Sequence, residues 1–177
     1  LGKINAMLED SAGDIWIAVS NAGLTRYNPK TGGFRFYRKS GQKGRIGRKG
    51  DGLFPTETAN CFLLDSTGGI YVGTDKGLLC YREDTDSFTT VSWFESIGLG
   101  LGEYNISYLY EDNDGSLWVG TYDDGIIRYF PKIGKYVRYR HEVSNNRSLS
   151  DNMIYLIKGD SRGNVWIGTN RGLNVYN

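Results

Sequence analysis

Asp112-Asn113-Asp114-Gly115-Ser116-Leu117-Trp118-Val119-Gly120-Thr121, followed by Gly125-Ile126 and Tyr129, is one of four versions of the same phrase in this chain. The others are Asp10-Ser11-Ala12-Gly13-Asp14-Ile15-Trp16-Ile17-Ala18-Val19 with Gly23-Leu24 and Tyr27, Asp65-Ser66-Thr67-Gly68-Gly69-Ile70-Tyr71-Val72-Gly73-Thr74 with Gly77-Leu78 and Tyr81, and Asp160-Ser161-Arg162-Gly163-Asn164-Val165-Trp166-Ile167-Gly168-Thr169 with Gly172-Leu173 and Tyr176. Asp and Gly always stand six and three residues before the aromatic anchor. The anchors at 16, 71, 118 and 166 give periods of 55, 47 and 48 residues. A fixed period of this length marks a repeat architecture.

Each period reads as strands and tight turns. Ile106–Glu111 is a first strand, ended by the turn Asp112–Gly115, where Asp bonds turn amides and Gly accepts positive φ without steric cost. Ser116–Thr121 is a second strand, and the loop Tyr122–Gly125 leads to a third, Ile126–Phe130. The turn Pro131–Lys135 precedes a fourth, Tyr136–Tyr139. No stretch carries a sustained helical stripe. Four short antiparallel strands per period of about 48 residues predict an all-β fold, a β-propeller of four-stranded blades. Four blades are expected, at about 3–37, 59–91, 106–139 and 153–177, the last incomplete, with a long loop at 38–58.

The bulk numbers agree. Among 177 residues, 25 are Gly, 13 Tyr and only 3 Pro, which suits many short strands and turns. A net charge of +1 gives no bulk attraction for nucleic acid or an anionic membrane, and no apolar run is long enough to span one. Cys61 and Cys80 fall on the first and third strands of one blade, roughly 9.6 Å apart and too distant for a disulfide. They fit no metal spacing and read as small hydrophobes.

The phrase Glu-Asp-x-x-Gly-x-Leu-Trp-Ile-Gly-Thr-x-x-Gly-Leu-x-x-Tyr resembles the two-component regulator propeller repeat. The copies anchored on Trp118 and Trp166 match it best, and Ser148–Ile154 is similar to that family's inter-blade segment. The resemblance implies a periplasmic sensor region of a bacterial hybrid two-component system, typical of glycan-degrading gut bacteria. In that family seven-bladed propellers precede a β-domain, a membrane span and kinase parts, and ligand binding repositions the propeller. Ala18-Val19 in the first copy and Tyr71 in the second depart from the pattern.

Topology sorts the loops into two rims. One holds the Asp-x-x-Gly turns, and the other holds the second-to-third loops and the inter-blade connectors. The second rim carries the residues that vary, and rigid scaffolds present binding groups on such loops. The candidates are Tyr122, Asp123, Asp124, Asn170 and Arg171, with Asp75, Lys76, Asn21, Trp93 and Tyr104 behind them. Aromatic faces beside amide, carboxylate and guanidinium groups suit an oligosaccharide. The basic stretch Arg38–Lys49 reads first as a solvated loop. As an anion-facing arm, with Arg45 and Arg48 in contact, it would select an acidic glycan. A protein-interaction scaffold and a carbohydrate-active propeller enzyme are the alternative functions.

The same positions have plain structural readings. The anchors are inter-blade core, the aspartates are turn caps, and Asp112-x-Asp114 lacks the spacing and closing Glu of a calcium loop. His141 has no nucleophile placed beside it. The expectation is therefore no catalytic residue, no metal and no cofactor. Open blade faces would exceed the apolar patch a monomer tolerates. Self-association of blade one on blade four is expected, with four-bladed closure as the alternative.

Overall fold

The computed structural model describes residues 2–39, 51–96, 98, 102 and 104–177. The first blade runs β1 (Ile4–Glu9), β2 (Ile15–Val19), β3 (Gly23–Asn28) and β4 (Gly33–Arg38), each antiparallel to the last. The chain then adds a strand that the sequence did not announce, β5 (Gly52–Leu53), parallel to β4. Gly52 suits β5 because a Cβ there would lie 2.3 Å from the Tyr37 ring. The second blade is β6 (Ala59–Leu64), β7 (Ile70–Thr74), β8 (Gly77–Arg82) and β9 (Ser87–Thr90). A single helical turn, α1 (Ser92–Ser96), follows it and was equally unannounced. The third blade is β10 (Ile106–Glu111), β11 (Leu117–Thr121), β12 (Ile126–Phe130) and β13 (Lys135–Tyr139). The fourth holds three strands, β14 (Ile154–Gly159), β15 (Val165–Thr169) and β16 (Gly172–Tyr176).

The chain divides into two compact units, Leu1–Glu103 and Tyr104–Asn177, each holding two blades. In the first, Trp16, Ala18, Leu24 and Tyr37 of one blade pack on Ala59, Ile70, Val72, Leu79 and Phe88 of the next. In the second, Trp118 and Ile126 pack on Ile154, Ile157, Val165 and Ile167. In both units the anchor tryptophan thus faces the following blade, fully buried. Trp166 does not follow that expectation: it is 37% exposed, on a face shared with Leu156, Leu173 and Val175.

The turn chemistry follows the repeat. Gly13, Gly68, Gly115 and Gly163 all take φ between 81° and 89°. Asp10 Oδ1 accepts from the amides of Ala12 and Asp14, and Asp65 and Asp160 repeat the pattern. The other carboxylate oxygen serves the anchor itself. The indole Nε1 of Trp16, Trp118 and Trp166 donates to Oδ2 of Asp10, Asp112 and Asp160 at 2.7, 3.3 and 2.9 Å. This satisfies an N–H that would otherwise be buried beside the core. Two blades add an arginine: Arg26 pairs with Asp14 at 2.7 Å and lies over Trp16, and Arg128 pairs with Asp112 and Asp114 and lies over Trp118. Cys61 and Cys80 are both free.

Candidate binding site

The loops of the variable rim are fixed by main-chain bonds that recur in every blade. The amide after each second strand, at Ser20, Asp75, Tyr122 and Asn170, donates to the carbonyl before the first strand, at Lys3, Thr58, Asn105 and Met153. Gly23 and Gly125, with φ of 72° and 76°, each donate to the carbonyl of an incoming connector, Glu57 and Asn152. The rim therefore stands on a main-chain frame, to which the threonines that end the second strands add a hydroxyl bond to the loop amides of Lys76, Asp124 and Arg171.

In the second unit that frame carries two small clusters. Asp124 caps its own loop through its amide to Thr121 Oγ1, and its carboxylate takes both an ion pair at 2.6 Å and a hydrogen bond from Arg140, with Arg138 at 3.8 Å. That bond to Asp124, then its charge, holds the Arg140 guanidinium above its ordinary pKa. Asp123 beside it is exposed, and Tyr122 is half-buried. The other cluster centres on Asp151, paired with Arg171 at 3.3 Å. The Met153 amide, then the Asn170 side chain and Arg171, hold the Asp151 carboxyl below the ordinary range. Tyr155 donates to Asn170 Oδ1 at 3.5 Å. The bond from Gly125 to Asn152 ties the two clusters together, one residue from Asp124 and one from Asp151.

The remaining candidates are distributed. Thr58 joins Asn21 and Asp75: its hydroxyl accepts from the Asn21 amide at 3.0 Å, and its own amide donates to Asp75 Oδ1 at 3.4 Å. Lys76 is exposed, and its carbonyl accepts from Gly102. Trp93 lies on α1 against Phe94, and Tyr104 lies under the Arg138 guanidinium at 5.7 Å. Arg45 and Arg48 lie outside the described residues. Lys39, at the start of the basic stretch, pairs with Glu57 at 3.0 Å.

Sequence reading missed the arginines. Arg138, Arg140 and Arg147 line a cavity of about 220 Å³ with Trp118, Tyr139 and Tyr176, and none of Tyr122, Asp123, Asn170 or Arg171 reaches it. The Nε of Arg138 is buried there without a hydrogen bond. The cluster is scattered over a fourth strand and a connector, the two parts of the repeat with no fixed pattern, so no motif announces it. His141 is structural: its Nδ1 lies 2.7 Å from the Leu149 carbonyl and its amide donates to Asn152.

Residues 100–123 and 148–171 match the two component regulator propeller family. A curated protein named histidine kinase P4, from Formosa agariphila, is 27% identical over 162 residues, which cover 91% of this chain and 11% of that protein. Among solved structures, the extracellular domain of a putative hybrid two component system from B. thetaiotaomicron matches with a TM-score of 0.75 at 24% identity, covering 98% of this chain and 20% of that one. Virginiamycin B lyase from Staphylococcus aureus shares the fold alone, with a TM-score of 0.60 and 14% identity over 97% of this chain and 54% of its own. The chain thus spans a small part of its regulatory relatives. No helix among the described residues is long and apolar enough to cross a membrane.

Proposed function

From a chain that carries two-component regulator propeller repeats, we propose that this segment is the ligand-sensing part of a membrane-anchored hybrid sensor working in the periplasm. Its ligand is an oligosaccharide held on the variable rim. The observation that carries this reading is the separation of labour within each blade. Core and main-chain bonds repeat, while Tyr122, Asp123, Asn170 and Arg171 share no pattern with their counterparts in other blades and stand at the surface or half-buried. A frame fastened mainly through main-chain bonds leaves much of the loop side-chain surface to recognition.

Tyr122 offers a ring face to a sugar ring, Asp123 and Asn170 bond hydroxyls, and Arg171 contacts hydroxyl or carboxylate oxygens. Asp124 and Asp151 organise the site, because both carboxylates are already engaged by arginines. On the second unit Tyr104 is a further candidate contact, and on the first unit Asn21, Asp75, Lys76 and Trp93 form a candidate surface of their own. Arg45 and Arg48 add preference for an acidic glycan. Titration of neutral and acidic oligosaccharides by calorimetry tests the proposal. Saturable binding without turnover is expected, and the Tyr122→Ala, Arg171→Ala double variant is expected to lose at least about tenfold in affinity. Undiminished binding by that variant discards the site, and turnover of labelled glycan would favour an enzyme.

A further inference from the structure

The two arginines that lie over an anchor tryptophan are held differently, and in the first unit the difference leaves a cleft. Arg128 of β12 gives Nε to Ser116 Oγ at 2.9 Å and Nη2 to both Asp112 and Asp114, at 3.2 and 2.9 Å. Arg26 of β3 gives Nε to Asp14 Oδ2 at 2.7 Å and Nη1 to the Tyr81 hydroxyl at 3.2 Å. Its Nη2 makes no hydrogen bond among the described residues, and Asp10 Oδ2 stands off at 3.7 Å. One repeat position is the cause. Ala12 stands where the third blade has Asp114, two residues past the capping aspartate. Both Asp10 oxygens are engaged elsewhere, by the amides of Ala12 and Asp14 and by the Trp16 indole.

Arg26 lines a cavity of about 340 Å³ with the Asp10 turn of the first blade and the Gly68 turn of the second. Small-molecule sites occupy volumes of this order. Small residues make the room: Ala12 carries only a methyl group, Gly68 and Gly69 carry no side chain, and a Cβ at Gly68 would lie 3.9 Å from Ser11 Oγ. Both flanking blades have four strands here, with β3 between β2 and β4 and β8 between β7 and β9. The lining is chemically two-sided. Arg26 and the Ser11 hydroxyl offer donors. Glu83 closes a turn to the Asp86 amide with its carbonyl, and its exposed carboxylate pairs with no cation among the described residues. Lys30, which bonds the Ala12 carbonyl at 3.4 Å, is not part of the lining. An anion that met Arg26 would therefore also meet the carboxylates of Asp10 and Glu83.

We propose that this cleft is a binding site for a small polyhydroxylated cation, of which an amino sugar is the simplest example. A hydroxyl or ring oxygen of the ligand accepts from Arg26 Nη2, a second hydroxyl bonds Ser11, and the ammonium group pairs with Glu83. A neutral acceptor satisfies the guanidinium without adding negative charge beside the two carboxylates. The site lies on the rim of the Asp-x-x-Gly turns, so it does not rest on the oligosaccharide reading of the variable rim.

Glucosamine is titrated into the full chain at about pH 6, where its amine is protonated, beside glucose and N-acetylglucosamine. Amide chemical shifts read the binding. Saturable shifts are expected at residues 10–12 and 68–70, with glucosamine bound at least about tenfold more tightly than either neutral sugar. Two substitutions make the assignment local. Glu83→Gln should weaken glucosamine at least about tenfold, towards the level of the neutral sugars. Ala12→Asp supplies the acceptor that Arg128 has in Asp114, so it should abolish binding while leaving the melting midpoint level or raised. Equal affinity for all three sugars, or binding that survives both substitutions, overturns the proposal. So does the lack of a saturable shift at those residues up to about 50 mM ligand.

Discussion

Asp112 joins two networks, and its loss shows what a repeated residue contributes. Its carboxylate accepts from the Trp118 indole at 3.3 Å, pairs with Arg128 at 3.2 Å and caps Asn113, while Arg128 is itself buried. Asp112→Ala leaves an indole N–H unpaired and takes one of two carboxylates from the buried Arg128 guanidinium. We expect it to cost roughly 2–4 kcal/mol of unfolding free energy, read from urea titration. Asp160, in the open fourth blade, provides a pH signature instead. The Asn164 amide and then the Trp166 indole pull its carboxyl down to about 2. A lowered folded pKa means stability that is present above the unfolded value, about 4, and is lost as pH falls from there towards 2. The difference in melting midpoint between wild type and Asp160→Asn should be constant above about pH 5 and close below about pH 4.

Turns and strands belong to the next scale. Gly125 and Gly115 both have positive φ, but their surroundings differ. A Cβ at Gly125 would lie 2.2 Å from the Tyr139 carbonyl oxygen, whereas nothing lies within 4 Å at Gly115. Gly115→Ala is expected to cost about 1 kcal/mol of backbone strain, and Gly125→Ala roughly 2 kcal/mol or more with loss of its bond to Asn152, both read from urea midpoints. This scale also shows what the sequence made legible. The strands of the third blade were readable to within a residue because Asp, Gly and the anchor aromatic have local causes: a cap, a positive φ and a strand buried along its whole length. The tryptophan-to-aspartate bond follows from the same six-residue offset once both residues face one side of the turn. β5 was not readable, since a two-residue parallel pairing depends on where a long connector returns. Arg138 and Arg140 were not readable either, because a guanidinium finds its aspartate across strands and its position shows no period. Of the proposed site, sequence located the loops, while the arginine that engages Asp124 and the pairing of Arg171 with Asp151 came only from the structure.

At the scale of the whole molecule, the exposed face of β14–β16 matters most. Trp166, Leu156, Leu173 and Val175 are 37–63% exposed on one side of the sheet, in the position where Trp16 and Trp118 are sealed by a following blade. We propose that a second copy covers this face with its first blade. Light scattering should show a concentration-dependent dimer or higher species, dissociated by Leu173→Glu. A strictly monomeric, freely soluble chain would contradict this. The clasp from Gly125 to the Asn152 carbonyl has a different consequence. It is made wholly of main chain, so exchanging Tyr122, Asp123, Asn170 or Arg171 leaves that bond itself in place, although Asn170 and Arg171 also hold Asp151 of the connector. Evolution, or a randomised library confined to those four codons, is thereby free to search new specificities on an unchanged chassis.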